Sequence, residues 1–443
     1  MALLTAPVPD VRTGTRVGPG SRIAARARST PGRLTALMVL LALLGLLAGI
    51  ASVVGIMQRS ALVDGVRNGS GPLAIQAQQL YRSLSDADAT AASAFLSNGV
   101  EPAALRERYQ NDIAAASAAL AAVTAGDGTD RAMVGQVSTQ LPVYTGLVDT
   151  ARTYNRLGKP LGAAYLREAS GLMREQLLPA AKALYLSENT RLGIDIDGGA
   201  EFPWLAIPLL VITIAGLVLA QRYLSRRTHR LLNVGLVVAT GAAVLMLGWI
   251  TLSWGTVYSH LDAGRQRGSS QVDFIARVRI AALTARADEA LTLVARGSGS
   301  AFDKGFDDSM REVAGDDGVS GELTEIRDST PDPAVHDVLE TARTDAKTWY
   351  DAHRKLRVED NGGNYNGAVK LAIGDDPASA ASAFNRLDSD LAKGIATASA
   401  TFDREARGAA DGFAVAAPGL VVLTLLMLVG LVAGFQQRIA EYR

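Results

Sequence analysis

A chain of 443 residues with 44 basic and 44 acidic side chains carries no formal net charge, and 48% of its residues are apolar. That balance gives no electrostatic ground for binding nucleic acid and leaves only local charge distribution to inform. The absence of cysteine excludes disulfides, thiolate metal sites and cysteine nucleophiles.

The first 33 residues form a basic tail, with Arg12, Arg16, Arg22, Arg26, Arg28 and Arg33 against the single acid Asp10. An uncharged apolar run follows over 34–58. It holds the ~20 residues needed to cross a hydrocarbon core of about 30 Å as a helix. Stretches such as Leu37-Met38-Val39-Leu40-Leu41 are apolar on every helical face, which argues for lipid rather than a soluble core. The run is too long, and starts too far from the N-terminus, for a removable signal peptide.

Residues 59–201 turn polar and helical. Val134, Val137, Leu141, Tyr144, Val148 and Ala151 recur in steps of three and four, an apolar seam. Leu166, Met173 and Ala180 interleave with Ser170, Leu177 and Leu184 in the same way. Breaks at Asn98–Pro102, Gly126–Gly128 and Leu157–Pro160 divide the segment into four helices. A second span covers 202–221, a basic loop 222–230, and a third span 231–256 within an apolar run reaching Leu261. A second polar segment, 257–411, shows the seam Phe384, Leu387, Leu391, Ile395, Ala398 and Phe402, with breaks at Gly297–Gly299, Gly315–Gly321 and Asn361–Gly367. A fourth span, 412–437, and a short tail, 438–443, complete the chain.

Arginine placement orients this plan. The loop holds Arg222, Arg226, Arg227 and Arg230 with no acid, and the tail adds Arg438 and Arg443. Asp64, Glu201, Asp262, Asp403 and Asp411 border the long segments. Both termini and the loop are therefore expected in the cytoplasm, at the plasma membrane, and the long segments outside. The expected fold is all-α, with four transmembrane helices and two tandem extracytoplasmic four-helix bundles. The first and fourth helices of each bundle should run into the spans without a stop. The plan reads as one unit written twice: Tyr81 to Leu84 with Ala87-Asp88 echoes Arg279 to Ala282 with Ala287-Asp288, and Tyr144 to Tyr154 echoes Trp349 to Leu356.

Catalytic patterns are missing. His229, His260, His336 and His353 are scattered without metal-ligand spacing, and neither a GxSxG frame nor a GxxxxGK[ST] loop occurs. The acids Asp303, Asp307, Asp308, Asp316 and Asp317 lack EF-hand spacing and read as a solvated loop. No ionisable group lies deep in a span, where ion and proton pathways need one, and Asn233 is the single strongly polar side chain well inside one. No enzyme, cofactor or metal is expected. The inner surface around Arg222, Arg226, Arg227 and Arg230 is the candidate contact for a cytoplasmic protein, and it also suits anionic lipid. The distal turns, with Asn98, Glu101, Arg156 and Lys159, are the candidate contacts for a ligand or partner outside.

A helical bundle strung between two spans resembles the ligand-sensing domain of bacterial chemoreceptors and histidine kinases. The tandem four-span form, with its Arg222 to Leu232 inner loop and little else in the cytoplasm, resembles the actinobacterial GlnX family. The resemblance implies sensing of glutamate, aspartate or glutamine through a GlnH-like binding lipoprotein. It also implies relay to the cytoplasmic Ser/Thr protein kinase G, by the chain alone or as a homodimer. Two other readings stand beside it: an envelope scaffold, and an accessory subunit of a transport complex.

Overall fold

The computed structural model describes residues 30–97, 100–126, 130–228 and 233–440. It is 89% helical, and no strand occurs among the described residues. In chain order the helices are α1 (Thr30–Asn68), α2 (Ser70–Phe95), α3 (Ala103–Thr124), α4 (Arg131–Arg156), α5 (Leu161–Leu172), α6 (Leu178–Ala200) and α7 (Ala206–Thr228). They continue with α8 (Val234–Gly264), α9 (Ser270–Val294), α10 (Ser300–Ala314), α11 (Glu322–Ser329), α12 (Pro333–Asn361), α13 (Tyr365–Ile373) and α14 (Ala380–Ala440). Single π turns, Met173–Leu177 and Arg265–Ser269, join α5 to α6 and α8 to α9.

The helices divide into two units. The apolar unit comprises 1–57, 202–254 and 414–443, and the large unit comprises 58–201 and 255–413. Among the described residues four helices are long and apolar enough to cross a membrane, which marks a multi-pass membrane protein. In the apolar unit Leu40, Leu47, Leu219, Leu245, Leu252 and Val429 are each more than half exposed, as lipid-facing side chains should be. Inside it, helices meet through small residues. A Cβ on Gly235 would lie 2.5 Å from the Gly434 backbone nitrogen, and one on Gly49 would lie 2.4 Å from the Thr424 methyl. Asn233 is not stranded in the span. Its amide donates to the Gly434 carbonyl at 2.8 Å, and its oxygen accepts from the Gly235 N–H at the start of α8. Phe202 packs edge-on against Trp204 and Trp254, the amphipathic ring type found at membrane–water boundaries.

The large unit holds both polar segments in one body. Its centre is the pair α2 and α9. Every residue from Ser83 to Ala94 is buried, and nearly every residue from Val278 to Ala295. Both stretches are rich in alanine, and that of α2 also in serine, so neighbouring helices approach closely on all sides. Around them, α3 and α6 pack on α2, and α10 packs on α9. The seam over α4 is the buried set expected: Val134, Val137, Leu141, Tyr144, Val148 and Ala151. Helix ends fall where turn chemistry places them. Gly158 takes φ +62° after α4 and Gly315 takes φ +75° after α10, a left-handed geometry that costs glycine little. Asp130 and Asp332 accept from the N–H two residues on, starting α4 and α12. The second segment carries two short helices beyond the expected divisions, α11 and α13. Pro331 and Pro333 end the first, and Gly374 and Pro377 follow the second.

One expectation is corrected. Residues Gln58, Leu261 and Gly412 lie inside α1, α8 and α14, but the helix stops at the Phe202 border. α6 ends at Ala200, Glu201 is extended at ψ 139°, and α7 begins at Ala206. Pro203 offers no N–H and disfavours helical geometry at the residue before it. The freed Glu201 carbonyl accepts from the Arg59 Nε at 2.9 Å.

Candidate ligand-binding site

The chemistry of the large unit sits on its two central helices. On α2, Arg82, Asp86 and Thr90 are spaced by four and so share one face. Arg108 of α3 donates to Asp86 from Nε at 3.1 Å and Nη2 at 2.8 Å, and reaches Asp388 of α14 at 3.1 Å. Its Nη1 donates to Asn385 at 3.2 Å. Arg279 of α9 donates to Asp388 at 2.7 Å. Burial works against the Asp388 carboxylate, but Arg279 and Arg108 hold it below the usual carboxylate range. Asp112, one helical turn beyond Arg108, gains too little from Arg108 and Arg82 to offset its burial. Its Oδ2 is buried without a partner, and burial, with Asp86 nearby, pushes its pKa up to about 7.

A second cluster joins the two segments. Asp88 accepts from Ser170 at 2.8 Å and from the Tyr144 hydroxyl at 3.4 Å. Arg174 stands 3.9 Å from Asp88 and donates to Asp288 at 2.6 Å. Burial outweighs that guanidinium at both acids, raising Asp88 and bringing Asp288 to about 6. A third cluster surrounds Glu289, which is fully buried. It accepts from Arg286, from the Trp349 indole at 3.3 Å, and pairs with His353 Nδ1 at 3.0 Å. Asp303 lies on the far side of His353 and pairs with Arg357 at 2.8 Å. Burial opposes the His353 cation, yet hydrogen bonds to Asp303 and Glu289 win and raise its pKa. Asp303 therefore belongs to a buried network rather than a solvated loop, whereas Asp317 caps the Val319 and Ser320 N–H groups.

Between these clusters opens a cleft of about 290 Å³. α2 lines it with Asp86, Thr90 and Ser93, α3 with Ala104 and Arg108, α9 with Arg286, and α14 with Phe384 and Asn385. Of the residues expected at the distal turns, the described ones, Glu101, Arg156 and Lys159, do not line it. Glu101 is buried and ties its own turn together, paired with Arg152 at 3.1 Å and Arg106 at 3.4 Å. Asn155 donates to the Phe95 carbonyl at 2.9 Å, so the C-terminal ends of α2 and α4 meet. Arg156 and Lys159 are exposed there. Arg222 and Arg226 are exposed on the last turns of α7. Asn98, Arg230 and the Arg227 side chain lie outside the described residues. The cleft residues escaped sequence reading because charges in alanine-rich helices look like solvated faces. The signal was the position of Asp88 and Asp288 in the two echoing stretches.

The comparisons with known proteins bear on the α1–α6 part of this unit. Residues 62–197 match the family model of an actinobacterial sensor domain. The match supports a sensing or signalling role for the protein. No curated protein and no solved structure matches the chain.

Proposed function

We propose that the chain is a non-enzymatic transmembrane sensor of amino-acid availability, with glutamate, aspartate or glutamine as the cue. The large unit lies outside the plasma membrane, and both termini and the 222–230 loop lie in the cytoplasm. The observation that carries the reading is a sensor-domain match seated in a helical unit whose chain enters and leaves through membrane-capable helices. A GlnH-like lipoprotein delivers the cue outside. A cytoplasmic Ser/Thr protein kinase receives it at Arg222, Arg226, Arg227 and Arg230.

The fold supports a mechanical relay. Packed helices have discrete arrangements, and a docking event that prefers one shifts a helix by about 1–2 Å. α1 and α14 carry such a shift through their borders as unbroken helices, and α8 passes it to α9 through one π turn. The stop before α7 excuses the second span from this duty. A coupling of about 1–3 kcal/mol suffices.

The test is capture of the kinase from membranes by the intact chain and by an Arg226→Ala/Arg227→Ala variant of verified topology. The sensor reading expects kinase capture to fall while capture of the outer lipoprotein persists. Undiminished kinase capture, or none with the unaltered chain, would favour an envelope scaffold instead.

A further inference from the structure

We propose that Asp88, Arg174 and Asp288 form a proton-binding site that ties the two segments of the large unit together in neutral surroundings and loosens that tie in acid. The unit then answers to the pH on its own side of the membrane, whatever ligand it senses.

The two echoing stretches set one acid in each segment, Ala87-Asp88 and Ala287-Asp288. The packing of α2 on α9 brings both acids against one guanidinium. Their side chains are 5% and 2% exposed. Among the described residues Arg174 is the single cation acting on either acid, so two carboxylates compete for one partner. The competition is unequal. Arg174 donates to Asp288 at 2.6 Å and stands 3.9 Å from Asp88, which accepts from Ser170 and Tyr144 instead. The shortest bond of this arginine therefore crosses from the first segment to the second. Its Nη2 is buried without a partner, so one donor stays unspent in the cluster. Arg174 also stands on the π turn Met173–Leu177, a local unwinding that recurs at functional sites.

Among the described residues no further charge acts on Asp288. α10 meets it with Gly305, where a Cβ would lie 2.5 Å from its Oδ2, and meets Arg174 with the Phe302 ring. Glu289, next in sequence, turns to Arg286 and His353, and Asp303 of α10 pairs with His353 and Arg357. On the Asp88 side α3 and α4 bring the phenols Tyr109 and Tyr144. Enclosed in this way, Asp288 titrates at about 6, above its ordinary 3.8, because burial outweighs the pull of Arg174. Above pH 6 it is ionised and holds the arginine. Below pH 6 it takes a proton, the charged bond between segments is lost, and Arg174 is left to Asp88 within its own segment. α9 then loses a tie to the first segment, and α9 continues through Arg265–Ser269 into α8 and the membrane.

The experiment is infrared difference spectroscopy of the full chain in nanodiscs between pH 7.5 and pH 5. It uses the Asp112→Asn background, because the Asp112 carboxyl titrates at about 7 and would overlap. A carboxylic C=O band should grow with its midpoint near pH 6 and be missing after Asp288→Asn. Hydrogen exchange on the same samples, corrected for the intrinsic effect of pH, reads the joint itself. Amides of α9 around Asp288 should lose about tenfold protection at pH 5, the equivalent of one charge-assisted hydrogen bond. Asp288→Asn should show the low protection at both pH values, and Asp288→Glu should restore a pH response. No band near pH 6, a band that survives Asp288→Asn, or α9 protection indifferent to pH in the chain with Asp288 intact would overturn the site.

Discussion

Asp112 offers the sharpest test of the buried charge clusters. In the unfolded chain its carboxyl titrates near 3.8, and in the fold near 7, because it is buried beside Asp86 with an oxygen that no donor reaches. An acid whose pKa rises on folding binds its proton more tightly in the folded state. Its contribution is therefore most favourable below 3.8 and is lost as pH rises to about 7. At about 1.4 kcal/mol for each pH unit, the interval corresponds to roughly 4 kcal/mol. Adjustment of Arg82 and Arg108 around the anion reduces this to about 2–4 kcal/mol. Asp112→Asn keeps the shape and removes the charge. At pH 8 the variant should be the more stable, with a melting point higher by roughly 4–8 °C. The advantage should shrink steadily toward pH 4. Thermal unfolding in nanodiscs, followed by tryptophan fluorescence across pH 4–8, measures it. A variant no more stable than the parent at pH 8, or a difference that ignores pH, would refute the reasoning.

Three further outcomes follow from named contacts. Trp349 is fully buried, edge-on to Phe306 and Phe384, and Trp349→Ala should cost about 3–5 kcal/mol in denaturant unfolding of the large unit. Arg174→Met should destabilise by about 2–4 kcal/mol, more at pH 8 than at pH 5, because Asp88 and Asp288 lose their shared cation; an equal loss at both pH values would contradict this. Gly235→Leu would drive a side chain into the Gly434 backbone and should lower the melting point in detergent by overpacking, at about 1–3 kcal/mol. Gly241→Leu, which meets open space, should leave it unchanged.

Periodicity made much of this fold legible. The seam from Val134 to Ala151 and the interleaved rows from Leu166 to Leu184 are buried as their spacing implied, because a helix imposes one period on its own residues. The turn at Leu157–Pro160 separates α4 from α5 for reasons local to glycine and proline, while the Asn98–Pro102 and Gly126–Gly128 breaks lie partly outside the described residues. What depends on distant residues was not legible. Nothing in the spacing of α2 or α9 says that they pack on each other, or that Arg174 of the first segment reaches Asp288 of the second. The stop at Phe202 was readable in principle from Pro203, but long apolar continuity outweighed it. The candidate site was the least visible part. Arg108 and Arg286 lie in stretches whose charge suggested solvent, and only the packing of small residues around them puts the guanidiniums inside.

The central claim is that an event at the large unit moves the inner ends of the membrane helices. The natural sequence has no cysteine, so Arg222→Cys and Arg438→Cys give an unambiguous crosslinking pair in the otherwise intact chain. Disulfide formation between them, measured in nanodiscs with the empty and the amino-acid-loaded lipoprotein, reads that movement directly. The account predicts a reproducible change in rate on loading; identical rates with every amino acid tried would contradict it.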